Sequence, residues 1–219
     1  RVTPLVEPLS LDEAFLDVSG IGFGPDRQWG SPRELAEQIR ARVADEQRIT
    51  CSVGVANAPS VAKLASRRAK PDGVVVVPRA RVTSFLHPLD VGELYGVGAK
   101  TRERLHRMGL VSVGDVAHTP VSTLQRIVGV AAGAHLHALA WGIDQSPITP
   151  KRGVHEPDRS MGADETFSRD VDDPEVCRRE LLRLSARVGS RMRAAGVAGR
   201  TVTIRVRFAD FTTITRSST

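Results

Sequence analysis

The sequence predicts an α+β fold divided among several modules, and three features of its 219 residues predict it. Strand-like and helix-like stretches alternate over residues 1–88, the pattern of a mixed α/β sheet with helices packed on one face. Over residues 89–145 the strand signal disappears and glycines punctuate short helices. Residues 146–158 (SPITPKRGVHEPD) are rich in proline and poor in apolar groups, so they read as a linker to a last α+β module at 159–219.

In chain order, residues 1–20 read as a strand hairpin: Leu5 and Val6 precede Pro8, and Phe15, Leu16 and Val18 follow an acidic pair. Gly20 to Gly30 is a Gly-rich loop. Ser31-Pro32-Arg33-Glu34 is a helix start, with Ser31 as N-cap, Pro32 at the first helical position and Glu34 closing a capping box. Leu35, Ile39 and Val43 recur at spacing four and predict an amphipathic helix to about Gln47. Ile49 to Ala56 alternates as a strand does, Pro59 to Ala69 reads as a helix, and Val74-Val75-Val76-Val77 is a short apolar strand closed by Pro78. In the last module a strand is expected near 159–168, a helix from Asp173-Pro174, and a strand at 200–208. Leu181, Leu184, Val188 and Met192 line one face of that helix, with Arg178, Arg179, Arg183, Arg187 and Arg193 around the remainder.

The 41% hydrophobic and 26% charged fractions are those of an ordinary globular protein. No apolar run approaches the ~20 residues a membrane-spanning helix needs, and no charged-then-apolar leader is seen. Cys51 and Cys177 are isolated, which supports neither a disulfide framework nor a Cys-based zinc site, so a cytoplasmic address and no membrane partner are expected. Net charge is +6, with 27 Arg against 4 Lys, and residues 151–219 hold 14 basic and 10 acidic residues. The guanidinium fork matches phosphate, which suits a polyanionic partner. Charge alone leaves a solvated Arg-rich surface equally open.

The chemistry concentrates first at Asp12-Glu13. Nucleotidyl transfer uses Mg²⁺ ions that bridge carboxylates, a triphosphate and the attacking hydroxyl. Taken alone, an Asp-Glu pair in a turn is ordinarily a solvated surface feature. Phe15, Leu16 and Val18 place this one at the end of a buried strand, where α/β layers hold their active sites. Asp17 faces the other way and reads as structural.

The string Ser10-Leu11-Asp12-Glu13-Ala14-Phe15-Leu16-Asp17 resembles the S-x-D-E-A-[FY]-L-D motif of Y-family (translesion) DNA polymerases, in the DinB (DNA polymerase IV) branch. The resemblance implies that Asp12 and Glu13 are catalytic and bind metal, with two Mg²⁺ ions in the complete enzyme. Cys51-Ser52-Val53-Gly54-Val55-Ala56-Asn57 is similar to the family's S-V-G-[IV]-[AS]-x-N strand, and Val61-Ala62-Lys63-Leu64-Ala65-Ser66 to its L-A-K-x-A-S helix. Ala69-Lys70-Pro71-Asp72-Gly73 resembles its K-P-[DN]-G turn, which implies that Lys70 reaches the triphosphate of the incoming dNTP. Lys63 keeps its place as a DNA-binding residue, whereas Ala58-Pro59-Ser60 departs from the family's Lys-rich entry to this helix.

Leu94-Tyr95-Gly96-Val97-Gly98-Ala99-Lys100-Thr101-Arg102-Glu103-Arg104-Leu105 sets two glycines about one residue ahead of a basic helix. Backbone N–H groups at such a helix start make an anion site; a plain glycine helix cap is the other reading. The stretch resembles the helix–hairpin–helix G-[VI]-G motif, which implies that Gly96, Val97, Gly98, Lys100 and Thr101 grip the DNA backbone without reading sequence. Gly129-Val130-Ala131-Ala132-Gly133 reads either as a second, degenerate hairpin or as a helix cap, and His135 and His137 are ill spaced for a metal. Arg159-Ser160-Met161-Gly162-Ala163-Asp164-Glu165-Thr166-Phe167 is similar to the family's [KR]-S-[IMV]-G-x-E-x-T-F strand, with Asp164 where Glu is usual. Phe208-Ala209-Asp210-Phe211 and Ile214-Thr215-Arg216-Ser217 resemble the strand and turn that follow, so Arg159, Ser160, Thr215 and Arg216 are the implied DNA contacts.

The resemblance covers the chain in family order and implies a partial palm at 1–88, an all-helical thumb with its helix–hairpin–helix at 89–145, a linker at 146–158 and a partial little finger at 159–219. It implies template-directed, low-fidelity DNA synthesis on primer–template DNA with dNTP, a sliding clamp as partner of the complete protein, and action as a monomer. The family's first metal-binding Asp belongs to an F-x-x-V-D motif that is not found here, and the fingers and the end of the little finger also lie outside the match. The chain is therefore expected to bind DNA without extending a primer. The alternative is a non-catalytic helix–hairpin–helix DNA-binding or repair module, which would need neither the acidic pair nor Lys70.

Overall fold

The computed structural model describes residues 2–150 and 160–219. The chain divides into two compact units, Arg1–Pro150 and Lys151–Thr219.

The first unit opens with β1 (Val6–Pro8) and β2 (Ala14–Leu16), an antiparallel pair in which Glu7 faces Phe15. Helix α1 (Pro32–Gln47) begins as its sequence dictates. Ser31 Oγ accepts from Glu34 N at 3.2 Å, and Ser31 N donates to Glu34 Oε2 at 2.6 Å, so two orphan donors are satisfied reciprocally. The helix ends at Arg48, whose left-handed backbone (φ 59°) turns its N–H onto Ala44 O. Next come β3 (Val53–Val55), α2 (Pro59–Arg68) and β4 (Val74–Val76), with β3 and β4 paired in parallel. This is a crossover unit whose helix packs back on its own strands.

Three expectations change here. The strand expected over Ile49–Ala56 is only the three residues of β3. Among the described residues of the first unit the strands form two separate ladders, β1–β2 and β3–β4, rather than one sheet. Strand β2 is also not buried. Leu16 is 38% exposed and Phe15 half-buried, because the ladder flanks an open cavity of about 630 Å³ lined by Phe15, Val18, Val55, Ala62 and Val76.

Helix α2 has no capping side chain of its own, since Ala58 occupies the N-cap. The carboxylate of Asp144, 84 residues on, supplies the cap by accepting from Ser60 N at 3.0 Å. After α3 (Val82–Leu86), the short helices α4 (Ala99–Arg107), α5 (Val113–His118), α6 (Val121–Val128) and α7 (Val130–Ala140) follow as expected. Ser112 and Asp115 form a second capping box at α5. Gly129 (φ 100°) links α6 directly to α7, and at Gly133 a Cβ would stand 2.5 Å from Gln125 N, so these helices meet backbone to backbone. One core runs from α2 through α7: Val61 and Leu64 join Leu86, Leu105, Leu124 and Leu139 without a break.

In the second unit α8 (Pro174–Ala194) starts at N-cap Asp173, whose Oδ1 accepts from Glu175 N at 2.8 Å. Leu181, Leu184, Val188 and Met192 are its half-buried stripe, as the spacing predicts. Strands β5 (Val202–Arg207) and β6 (Thr213–Ser218) pair antiparallel and are exposed on both faces. The strand expected near 159–168 is not formed over 160–168, where no backbone ladder joins the described residues. Side chains hold that segment instead: Arg191 Nη1 donates to Gly162 O at 2.8 Å, Arg183 pairs with Glu165 at 2.7 Å, and Arg205 with Asp164 at 2.9 Å. Most of the expected linker, and Arg159, lie outside the described residues.

Candidate metal and nucleic-acid site

The turn between β1 and β2 presents the acidic pair. Leu9 N and Ser10 N both donate to Glu13 O, at 2.8 and 3.2 Å, which folds the chain back and leaves Leu11 fully exposed. Ser10 Oγ donates to Asp12 Oδ1 at 2.6 Å. That hydroxyl, with the backbone N–H of Asp12 and the more distant charges of Lys70 and Lys63, holds the Asp12 carboxyl below its ordinary range. Asp12 is therefore ionised throughout the neutral range.

Folding brings the two sequence-distant lysines to this turn. Lys63, the fifth residue of α2, places Nζ 2.7 Å from Glu13 Oε2 across 50 residues of chain. Lys70, just beyond the end of α2, acts on Asp12 through space without contacting it. Its turn is fastened by Arg40 of α1. Arg40 Nε donates to Cys51 O at 3.0 Å, Nη2 donates to Asp72 O at 2.9 Å, and the guanidinium pairs with the Asp72 carboxylate. Gly54 explains why α2 can stand so close: a Cβ there would lie 2.1 Å from Ala62 O and 2.2 Å from Ser66 N.

Asp12 and Glu13 suit a divalent cation. Mg²⁺ prefers hard oxygen donors and is commonly held by one or two carboxylates, with waters and substrate phosphates completing the octahedron. Two adjacent, exposed carboxylates, one of them held ionised, meet that share. Among the described residues no group of three or more His, Cys, Asp or Glu gathers to hold a metal.

The hairpin is the second element. Gly96 takes φ 86°, a left-handed conformation that favours glycine, and Val97 N donates to Leu94 O at 3.1 Å. Val97 is half-buried against the core and anchors the turn. Gly98 is the N-cap of α4 with φ −83° and ψ 173°, which any residue can adopt, and a Cβ there would meet nothing within 4 Å. Packing among the described residues does not call for glycine at 98, and the backbone there is open. Lys100 is exposed and Thr101 half-buried on the first turn of α4. A network that sequence spacing does not announce holds the turn. Asp90 accepts from Arg102 Nε at 2.7 Å and Nη2 at 2.8 Å, and from Gly92 N at 2.7 Å. The Arg102 bonds, aided by Gly92 and the charge of His106, hold the Asp90 carboxyl far below its usual range.

In the second unit Ser160, Thr215 and Arg216 are exposed, with Thr215 and Arg216 on β6 opposite Arg205 and Ile204.

Family models match in chain order: the impB/mucB/samB family over residues 1–67, the thumb domain of DNA polymerase-iota over 92–144, and the impB/mucB/samB family C-terminal domain over 158–219. DNA polymerase IV 2 of Mesorhizobium japonicum is 43% identical over 217 residues, covering 99% of this chain and 50% of that protein. DNA polymerase IV of Alkalilimnicola ehrlichii is 40% identical over 215 residues, covering 98% and 58%. A solved Y-family DNA polymerase chimera, Dbh-Dpo4(243-245)-Dbh, superposes with a TM-score of 0.77 at 25% identity over 99% of this chain and 60% of its own. The insertion ternary complex of Dbh DNA polymerase does so at 0.60 and 24%, over 99% and 60%, a likeness of fold alone. The chain belongs to the Y-family DNA polymerases, in the DinB (DNA polymerase IV) branch. It spans about half the length of the curated relatives it matches, 50% and 58% for the two above. No helix among the described residues is long and apolar enough to cross a membrane.

Proposed function

We propose that the protein is a template-directed DNA polymerase of the low-fidelity translesion type that works by two-metal nucleotidyl transfer, and that this chain alone binds DNA without extending a primer. The observation that carries the reading is the convergence of Asp12, Glu13, Lys63 and Lys70 on one turn from separate stretches of sequence. In this reading residues 1–88 are a partial palm, 89–145 the thumb, 146–158 a linker and 159–219 a partial little finger. Primer–template DNA and dNTP are the substrates and a sliding clamp the partner of the complete protein, which acts as a monomer in the cytoplasm.

Asp12 and Glu13 hold the Mg²⁺ ions, which when bound supply charge neutralisation at the triphosphate. Lys70 sits where a triphosphate approaching Asp12 would meet a cation. The open backbone of Gly96 and Gly98, with Lys100 and Thr101, takes DNA phosphates at the start of α4, and Arg159, Ser160, Thr215 and Arg216 take others. Replacing Asp12 and Glu13 together by Ala in the full-length parent should reduce single-nucleotide primer extension to background; full extension by that variant refutes the reading. Binding of a labelled duplex by this chain should weaken steeply with salt, as phosphate contacts release counterions. The bare Gly98 also favours a second reading, a non-catalytic helix–hairpin–helix DNA-binding or repair module. That reading predicts binding indifferent to the Asp12 and Glu13 substitutions and no extension by the parent.

A further inference from the structure

Lys63 stands between two places. Its Nζ is 2.7 Å from Glu13 Oε2, while its side chain also lines a cavity of about 190 Å³ between α2 and the hairpin, together with Arg67, Glu93, Tyr95, Gly96 and Val97. The other cation of that cavity is already matched: Arg67 lies 3.3 Å from Glu93. The backbone under Lys63 is fixed, because Val61, Leu64 and Ala65 on either side of it are buried. Its four-carbon stem is flexible, and the side chain keeps a quarter of its surface exposed. The ammonium can therefore swing while its helix stays still.

We propose that Lys63 is a stand-in cation for Glu13: it holds the carboxylate until a divalent ion displaces it, and the freed ammonium then turns into the cavity to take a phosphate oxygen of a DNA strand lying along the hairpin. The proposal rests on the metal reading of the acidic pair given above. An ammonium and a divalent ion compete for the same carboxylate, and each repels the other at contact distance. A lysine released from Glu13 faces the exposed backbone of Gly96, where the hairpin reading places DNA phosphate. Metal and DNA binding are then coupled through one side chain, and the coupling is reciprocal.

The test uses this chain and Mn²⁺, titrated by the electron paramagnetic resonance signal of the free ion. Lys63→Met keeps the stem and removes the charge, Lys63→Arg keeps the charge, and Asp12→Ala with Glu13→Ala removes the site; matched thermal melts confirm folding. Lys63→Met should bind Mn²⁺ about fivefold tighter than the unaltered chain, the factor that release from one exposed ion pair allows, and Lys63→Arg should not. At constant ionic strength, Mn²⁺ should tighten binding of a fluorescent primer–template by the unaltered chain and leave Lys63→Met unmoved. Equal Mn²⁺ affinity for the unaltered chain and Lys63→Met overturns the exchange and leaves the metal site standing. Mn²⁺ binding that survives loss of Asp12 and Glu13, or no saturable binding by any variant, overturns the metal reading and the exchange with it.

Discussion

Substituting Gly54 by Ala tests whether α2 is held at the distance its lysine needs. The new methyl carbon would lie 2.1 Å from Ala62 O, 2.2 Å from Ser66 N and 2.8 Å from Ala65 C. All three are backbone atoms inside α2, so no side-chain rotation relieves the clash. The helix must back away from β3 by roughly 1 Å, a gap that already forfeits a quarter to a half of each dispersion contact on that face. Val61, Leu64 and Ala65 are 1%, 4% and 0% exposed, so the lost contacts belong to the core. Overpacking of this kind costs about 3 kcal/mol. For a unit of this size that lowers Tm by about 6–12 °C. Circular dichroism melts of the two proteins side by side measure it. A melting temperature within about 2 °C of the parent's would refute the close-approach argument, because the residue would then have room the geometry denies it.

Removing the Asp144 carboxylate (Asp144→Ala) deprives α2 of the side-chain cap at Ser60 N and should cost about 1 kcal/mol, read by urea denaturation. Burial raises the Asp144 carboxyl, but the donors from Ser146 and Ser60 outweigh it and leave the group below its ordinary value. Its stabilisation is thus complete above the unfolded value near ~4 and is lost as pH falls through the lowered folded value, so the parent and variant curves should converge in acid and stay apart at neutral pH. Gly98→Ser should leave Tm unchanged or raised, since serine is a good N-cap, yet weaken DNA binding about tenfold by anisotropy as the side chain intrudes on the phosphate. Arg40→Ala should speed amide hydrogen exchange over the Lys70–Gly73 turn, where Val53 N now donates to Gly73 O at 3.0 Å; exchange unchanged there would remove Arg40 from its bracing role.

Local chemistry was readable wherever a few neighbouring residues settle the outcome. The Ser31–Glu34 capping box, the start of α8 at Asp173-Pro174 and the glycine hairpin all form as their spacing predicts. The sheet was less legible. An apolar run predicts a strand but not its neighbour, so nothing in Ile49–Ala56 or Leu5–Val18 tells that their ladders stay apart, or that β2 borders a cavity. Residues 160–168 carry a strand-like sequence yet are held by arginines from α8 and β5, which only the tertiary arrangement supplies. The acidic pair and Lys70 were singled out as candidates by their motifs alone. Asp144, Arg40 and the Asp90–Arg102 pair were not, because a carboxylate capping a helix 84 residues earlier leaves no local pattern. Lys63 was legible as a cation, but its partner Glu13 is set by the fold.

The unbroken core from α2 to α7 limits how this protein can be recombined with its relatives. A crossover placed between residues 88 and 89 would make Val61, Leu64 and Leu86 from one parent interdigitate with Leu105, Leu124 and Leu139 from another, and each mismatched methyl group would be felt. A crossover near the junction of the two units, at Pro150, cuts no such packing within the first unit. Viable hybrids should therefore exchange residues 1–150 as one block, and the helix carrying Lys63 should travel with the hairpin it adjoins.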